Sequence, residues 1–181
     1  YQNMMEFQVA PVGGIRFQSQ NIGDTRIRGL DVSVNGFGKI GDVTAYLLTG
    51  YTFLDPKYLD FTDDINEKSS ADFNILKYRN KHSFKIDGEL EFKKFKVGAG
   101  IIYNSKMEAI DEVLNIFSGI GEYREKNNSG NLLVDARFIY NITQHFKLAI
   151  VSKNILNTEF MVRPGTLEAP RTFTLRADYN F

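Results

Sequence analysis

The sequence predicts an all-β protein, an antiparallel transmembrane barrel fold of about eight strands, and three observations carry that reading. Apolar and polar residues alternate with period two along nearly the whole chain. Such spacing puts them on opposite faces of strands, whereas a helix would scatter them. Connections between the strands alternate between tight and long, and aromatic residues gather near the strand ends.

The elements follow in order. Met5, Phe7 and Val9 alternate with polar residues, and Pro11, Val12, Gly13 and Gly14 break the run as a turn. From Ile15 a long strand is expected, bulged near Ile22 and Gly23. Within it Leu30, Val32 and Val34 oppose Asp31, Ser33 and Asn35. Residues 38–42 turn the chain, and a strand runs from Val43 to about Phe53. Ser83 to Phe92 is the clearest stretch. Phe84, Ile86, Leu90 and Phe92 share one face with Gly88, while Ser83, Lys85, Asp87, Glu89 and Glu91 share the other.

Lys93 and Lys94 then form a two-residue turn, although they lack Asn-Gly turn chemistry. Residues flanking such a turn lie opposite each other, so Phe92 and Phe95 must share a face. The onward alternation of Phe95, Val97, Ala99, Ile101 and Tyr103 agrees. Leu132, Val134, Ala136, Phe138 and Tyr140 repeat the pattern, and Phe146, Leu148 and Ile150 continue it after a short connection at 141–145. The last strand sets Phe173, Leu175, Ala177, Tyr179 and Phe181 against Thr172, Thr174, Arg176, Asp178 and Asn180.

Tight connections at 38–42, 93–94 and 141–145 alternate with long ones at 55–80, 105–130 and 157–170. A transmembrane barrel shows this asymmetry, with short turns in the periplasm and long loops outside. Alternation alone does not separate a lipid-facing apolar surface from the buried face of a soluble sandwich or lipocalin-like barrel. The loop asymmetry favours lipid, as does the girdle of Phe92, Phe95, Tyr103, Tyr140, Phe146, Tyr179 and Phe181. The strands also have the span that crosses a bilayer, roughly 9–11 residues.

Composition removes several function classes. The chain has 181 residues, with Lys+Arg and Asp+Glu at 22 each. A net charge of zero gives no electrostatic case for nucleic acid or an anionic membrane surface. Cysteine is absent and histidine occurs twice, as His82 and His145. Disulfide scaffolds, thiolate metal sites, cysteine nucleophiles and multi-histidine cages are therefore excluded. The opening residues, Tyr1 onward, carry no initiator and no signal-peptide pattern, which reads as processing or as a piece of a longer chain.

Five stretches carry a family resemblance. NIGDTRIRGLD at 21–31 resembles the "N-x-G … G-x-E" stretch of TonB-dependent outer-membrane receptors, with Asp31 in place of the commoner Glu. GYTFLD at 50–55 resembles their "Y-T-Y-L-D", and KNILNTEF at 153–160 is similar to "K-N-L-L-N-K-E-Y". PRTF at 170–173 and the terminal YNF at 179–181 resemble the closing strand. Their order and spacing are specific, and only the two longest loops lie outside the match.

The resemblance implies a barrel of about 22 strands around a plug, which eight strands cannot close. Residues 1–181 would then be a single C-terminal barrel segment without the plug or the earlier strands. It implies import of a scarce large solute: iron-siderophore complexes first, haem, cobalamin or glycans otherwise. Implied partners are outer-membrane lipid, the rest of the barrel, the plug, TonB acting through the plug, and the solute. Phe173, Tyr179 and Phe181 would form the signal read by the insertion machinery. The alternative is a self-contained eight-stranded outer-membrane barrel with a structural or adhesive role.

No enzyme constellation, cofactor site or metal site is expected. Lys85, Asp87, Glu89 and Glu91 could pair for acid–base work, but they also form one lumen-facing stripe. Asp60, Asp63, Asp64, Asn66 and Glu67 make an acidic loop without the glycine and oxygen spacing of a calcium hand. The stretch 77–96 is rich in Lys and Phe, yet its acidic residues interrupt it and its aromatics lie on the opposite face, against nucleic-acid binding. His82 reads as a surface or girdle residue. Gly36, Gly38, Gly98 and Gly100 read as bends or close approaches in strands. Residues 107–114 are expected to form a short helix in a long loop, as a patch, lid or partner contact.

Overall fold

The computed structural model describes residues 1–10, 16–116 and 119–181. Its strands are β1 (Met5–Ala10), β2 (Arg16–Asn21), β3 (Thr25–Ile40), β4 (Val43–Tyr58), β5 (His82–Phe92), β6 (Phe95–Asn104), β7 (Asn131–Asn141), β8 (Phe146–Lys153), β9 (Met161–Arg163), β10 (Thr166–Leu167) and β11 (Thr172–Tyr179). Three short helices lie in the connections: α1 (Asp63–Glu67), α2 (Glu112–Ile116) and α3 (Ile120–Lys126).

Seven strands form one antiparallel sheet in the order β11-β8-β7-β6-β5-β4-β3, with β1-β2 and β9-β10 as separate hairpins. Every neighbour in the large sheet except the β8–β11 pair is also consecutive in the chain and joined by a hairpin or loop. Strands β3 and β11 remain open edges, so the sheet does not close on itself. A self-contained eight-stranded barrel is therefore not what these residues build.

The register bears out the alternation. Phe92 lies opposite Phe95, Leu90 opposite Val97 and Ile86 opposite Ile101, while Val97 pairs with Phe138 and Phe138 with Ile150. Leu175 then meets Ile150. This apolar face carries no second layer: Leu30, Leu90, Val97 and Ile150 are exposed, and Leu175 keeps 74% of its surface open. A soluble sandwich would bury that face. Here it is the outer surface of the sheet.

Several boundaries differ from expectation. The long bulged strand from Ile15 is two strands, because the chain breaks at Ile22–Asp24. Gly23 takes φ +80° and donates its N–H to the Asn21 side chain at 2.8 Å, a local turn that ends β2. The turn expected at residues 11–14 lies outside the described residues. The 38–42 turn shrinks to Gly41 and Asp42, since Ile40 already pairs with Val43 and Gly41 supplies φ +60°. Strand β4 runs past Phe53 to Tyr58 and tolerates Pro56, because its pairing with β5 stops at Phe53. Beyond that point one edge of β4 needs no N–H for a sheet partner.

The two buried apolar clusters lie at the loop end of the sheet, not behind it. Ile22, Tyr58 and Leu76 form one cluster, flanked by Met4, Ile27, Phe61 and Ile65, and Ala71, Ile75 and Ala109 form another. Loops 59–81 and 105–130 are sewn together by their backbones. Ser70 N–H donates to the Ile110 carbonyl at 2.9 Å and Tyr78 N–H to the Ala109 carbonyl at 2.8 Å. These bonds hold residues 109–111 extended, so the helix expected over 107–114 forms only from Glu112.

Candidate functional site

The face opposite the apolar one is polar and internally charge-paired. Arg137 on β7 reaches over β6 to β5, donating from Nη1 and Nη2 to the two Asp87 carboxylate oxygens at 2.9 and 2.8 Å and from Nε to Glu89 at 2.8 Å. Glycine at 98 and 100 makes this possible. A Cβ on Gly98 would lie 2.5 Å from Arg137 Cζ, and one on Gly100 would lie 3.2 Å from Asp87 Oδ2. The close approach expected of these glycines is thus a guanidinium crossing.

Other charges on this face also find partners: Lys96 with Glu91 at 2.8 Å and Asp178 with Arg176 at 2.8 Å and Lys147 at 3.8 Å. Asp31, from the NIGDTRIRGLD stretch, accepts from Thr52 on the adjacent strand at 2.7 Å. The acidic part of the stripe, Asp87, Glu89 and Glu91, is therefore a wall of cross-strand pairs. Half-exposed pairs of this kind contribute little individually, about 0–1 kcal/mol each, but they leave a hydrated surface without a large net field.

At the loop end the chemistry differs. Lys77 is 1% exposed, and its ammonium pairs with Asp111 and, at 3.7 Å, with Glu6. Tyr78 donates its hydroxyl to the second Asp111 oxygen at 2.5 Å, and Tyr58 donates to Glu6 at 3.4 Å. Burial is the largest influence on Glu6 and raises its pKa above the ordinary 4.5, with Lys77 and Arg79 opposing. Burial likewise pushes the Tyr58 and Tyr78 hydroxyls well above the usual phenol value, so both stay protonated donors.

Beside this cluster opens a cavity of about 630 Å³, lined by Met4, Glu6, Tyr78, Arg79, Met107 and Arg163 among others. Of the cavity's residues the sequence singled out Met5, as part of the first strand, and Met107 and Leu114, within the 107–114 patch, but nothing joined them to the rest. The walls come from four separate segments without a common period, and only the topology brings them together.

The remaining sequence candidates fall elsewhere. Asp63 and Asp64 open α1, which Thr62 caps by accepting from Ile65 N–H at 3.4 Å, and Asp64 pairs with Lys68 at 2.8 Å. Among the described residues, no group of three or more His, Asp or Glu side chains is placed to hold a metal ion. His82 sits at the head of β5, with Nδ1 2.9 Å from the Tyr51 hydroxyl and its ring 5.3 Å from Phe53, in an aromatic group at the strand ends. In the basic stretch 77–96, Lys77 is buried and Lys96 is paired. The girdle residues Phe95 and Tyr140 stack at 4.9 Å, and Tyr179 meets Phe181 edge-on at 5.2 Å.

The KNILNTEF stretch turns out to build the final loop. Asn154 and Asn157 both take positive φ, near +50°, which Asn tolerates best after Gly. Asn154 brackets Thr158 with two 2.9 Å bonds, and Asn157 accepts from Arg171 N–H at 3.0 Å, handing the chain to β11. Phe173 and Tyr179 project from β11 on the exposed apolar face, and Phe181 follows, also exposed.

A single-layer sheet with an exposed apolar face, a charge-paired polar face, tight turns at one end and packed loops at the other is the wall of a transmembrane β-barrel. The chain belongs to the TonB dependent receptor-like, beta-barrel family, whose match runs over residues 1–155. That family is one of outer-membrane receptors and transporters. Among solved structures, the ferric-catecholate import receptor Fiu from E. coli K12, in its closed form, superposes with a TM-score of 0.66 at 19% identity. The match covers 99% of this chain and 24% of that one, so the chain spans about a quarter of its neighbour's length. No curated protein sequence matches the chain.

Proposed function

We propose that this chain is the C-terminal wall and outer mouth of a TonB-dependent transporter that imports a scarce large solute across the outer membrane. The observation that carries this is the pairing of family and faces: a receptor-barrel sheet whose apolar side is its exposed side. Residues 1–181 act as one barrel segment. The missing strands close the wall between β3 and β11, the plug fills the lumen, and TonB supplies energy through the plug. The polar face with Arg137 and Asp87 then lines the lumen, the turns at Gly41 and Lys93 face the periplasm, and the loop cluster faces the cell exterior.

An iron-siderophore complex is the favoured solute, supported by the import receptor named above and by Arg79 and Arg163 on the cavity wall. Guanidinium groups suit an anionic chelate. Phe173, Tyr179 and Phe181 serve as the strand end that the insertion machinery reads. No covalent chemistry belongs to this segment. The test is deletion of the full-length gene, followed by radiolabelled uptake of ferric siderophores, haem, cobalamin and glycans. Loss of one uptake, restored by the intact gene, supports the proposal. Unchanged uptake of every solute rejects it.

A further inference from the structure

The Lys77 cluster joins three parts of the chain: two loops already bridged at Ser69–Asp111 and Asn80–Met107, and a hairpin that pairs with neither. Glu6 comes from the β1–β2 hairpin, Lys77 and Tyr78 from loop 59–81, and Asp111 from loop 105–130. A lysine at 1% exposure is rare unless paired, and removing one member of such a group leaves a charge buried without compensation. Around it the backbone is committed as well. Tyr78 holds φ +62°, a conformation costly for a bulky residue, and it places Lys77 inward while Arg79 lines the cavity.

We propose that Glu6, Lys77 and Asp111 form an ionic clamp that locks the hairpin and both loops into one rigid cap and so fixes the shape of the adjoining cavity. The clamp touches the cavity wall directly, because Glu6 lines it, as do Tyr78, next to Lys77, and Met107, on the loop that carries Asp111. Capture then takes place on a preformed surface, without the entropic cost of ordering loops on the solute. This role is independent of which solute enters.

Spin-label distances test the clamp in the full-length protein in lipid nanodiscs, with any cysteines outside this segment replaced. Exposed Ser19, Glu67 and Glu125 take the labels in pairs through cysteine substitutions, and Asp42 with Gln144 forms a control pair across the turns. The unaltered clamp should give one narrow distance distribution for each pair. Lys77→Met should spread all three loop pairs and leave the control narrow. Glu6→Ala, which removes the carboxyl and its contacts with Lys77 and Tyr58, should spread only the two pairs that include Ser19. Loop pairs that stay narrow in Lys77→Met overturn the clamp. A control pair that spreads with them overturns it too, because Lys77 would then support the whole sheet and not the cap.

Discussion

Arg137 on β7 and Asp87 on β5 meet through two parallel hydrogen bonds of 2.9 and 2.8 Å although the whole of β6 lies between them. The crossing exists because Gly98 and Gly100 present no side chains on that face. Gly98→Ala should act through Arg137, displacing the guanidinium and loosening its bonds to Asp87 and Glu89. In an Arg137→Met background the same alanine meets no guanidinium and should cost far less. The double-mutant cycle, read by urea unfolding in vesicles, should give a coupling on the order of 1 kcal/mol. Simple additivity would mean that the glycine serves some other purpose.

Acidity should act on the hairpin that Glu6 anchors. Burial raises the Glu6 pKa above 4.5, while Lys77, Arg79 and the Tyr58 hydroxyl pull it down and Asp111 pushes it up. A carboxyl whose folded value is raised binds its proton more tightly when docked. Its contribution is fully present below 4.5 and is lost as pH rises through the raised folded value. Hydrogen-exchange protection of residues 16–24, corrected for intrinsic rates, should therefore increase as pH falls toward 4.5. Glu6→Gln should flatten that dependence. A slope unchanged in Glu6→Gln would assign the pH response to another group.

How far the sequence could be read depended on period. Phe92 opposite Phe95 was legible because a two-residue turn leaves one register, and strand alternation carried it across the sheet. The role of Gly98 was legible in kind, as a close approach, but its partner lies on another strand and is fixed only by pairing. The Lys77 cluster was not legible at all. A lysine in an aperiodic loop reads as solvated, and its partners Glu6 and Asp111 are distant in sequence and equally unremarkable there. Helix α2 was misplaced for a related reason: backbone bonds from Ser70 and Tyr78 claim residues 109–111 before local propensity decides.

Assembly should depend on the end of the last strand. Phe173 and Tyr179 lie on the exposed apolar face of β11, and Phe181 packs edge-on to Tyr179 at 5.2 Å. Deleting Phe181, or Phe181→Asp, should lower the amount of heat-modifiable protein in the outer membrane while leaving synthesis unchanged. Phe181→Tyr keeps the ring and should retain most of it. Equal outer-membrane levels in all three variants would count against an assembly role.

The assignment of faces can be settled at two adjacent residues, Leu90 and Glu89. Leu90 lies opposite Val97 on the exposed apolar face, and Glu89 lies on the other side, accepting from Arg137 at 2.8 Å. Leu90 is two residues from the girdle residue Phe92, where a guanidinium can reach interfacial water. Leu90→Arg should therefore cost less than the roughly 2–4 kcal/mol of a midplane site. A buried core would penalise that change as well, so accessibility makes the distinction. Residues 1–181 contain no cysteine, which lets single-cysteine variants report cleanly. A fluorophore on Leu90→Cys, in the full-length protein in bilayers, should be quenched by probes carried on lipid tails and spared by aqueous ones. The Glu89→Cys thiol should react with small water-soluble reagents that pass the lumen. Shielding of Leu90→Cys from lipid and water alike would make the apolar face a protein interface, and the membrane wall would have to be sought elsewhere.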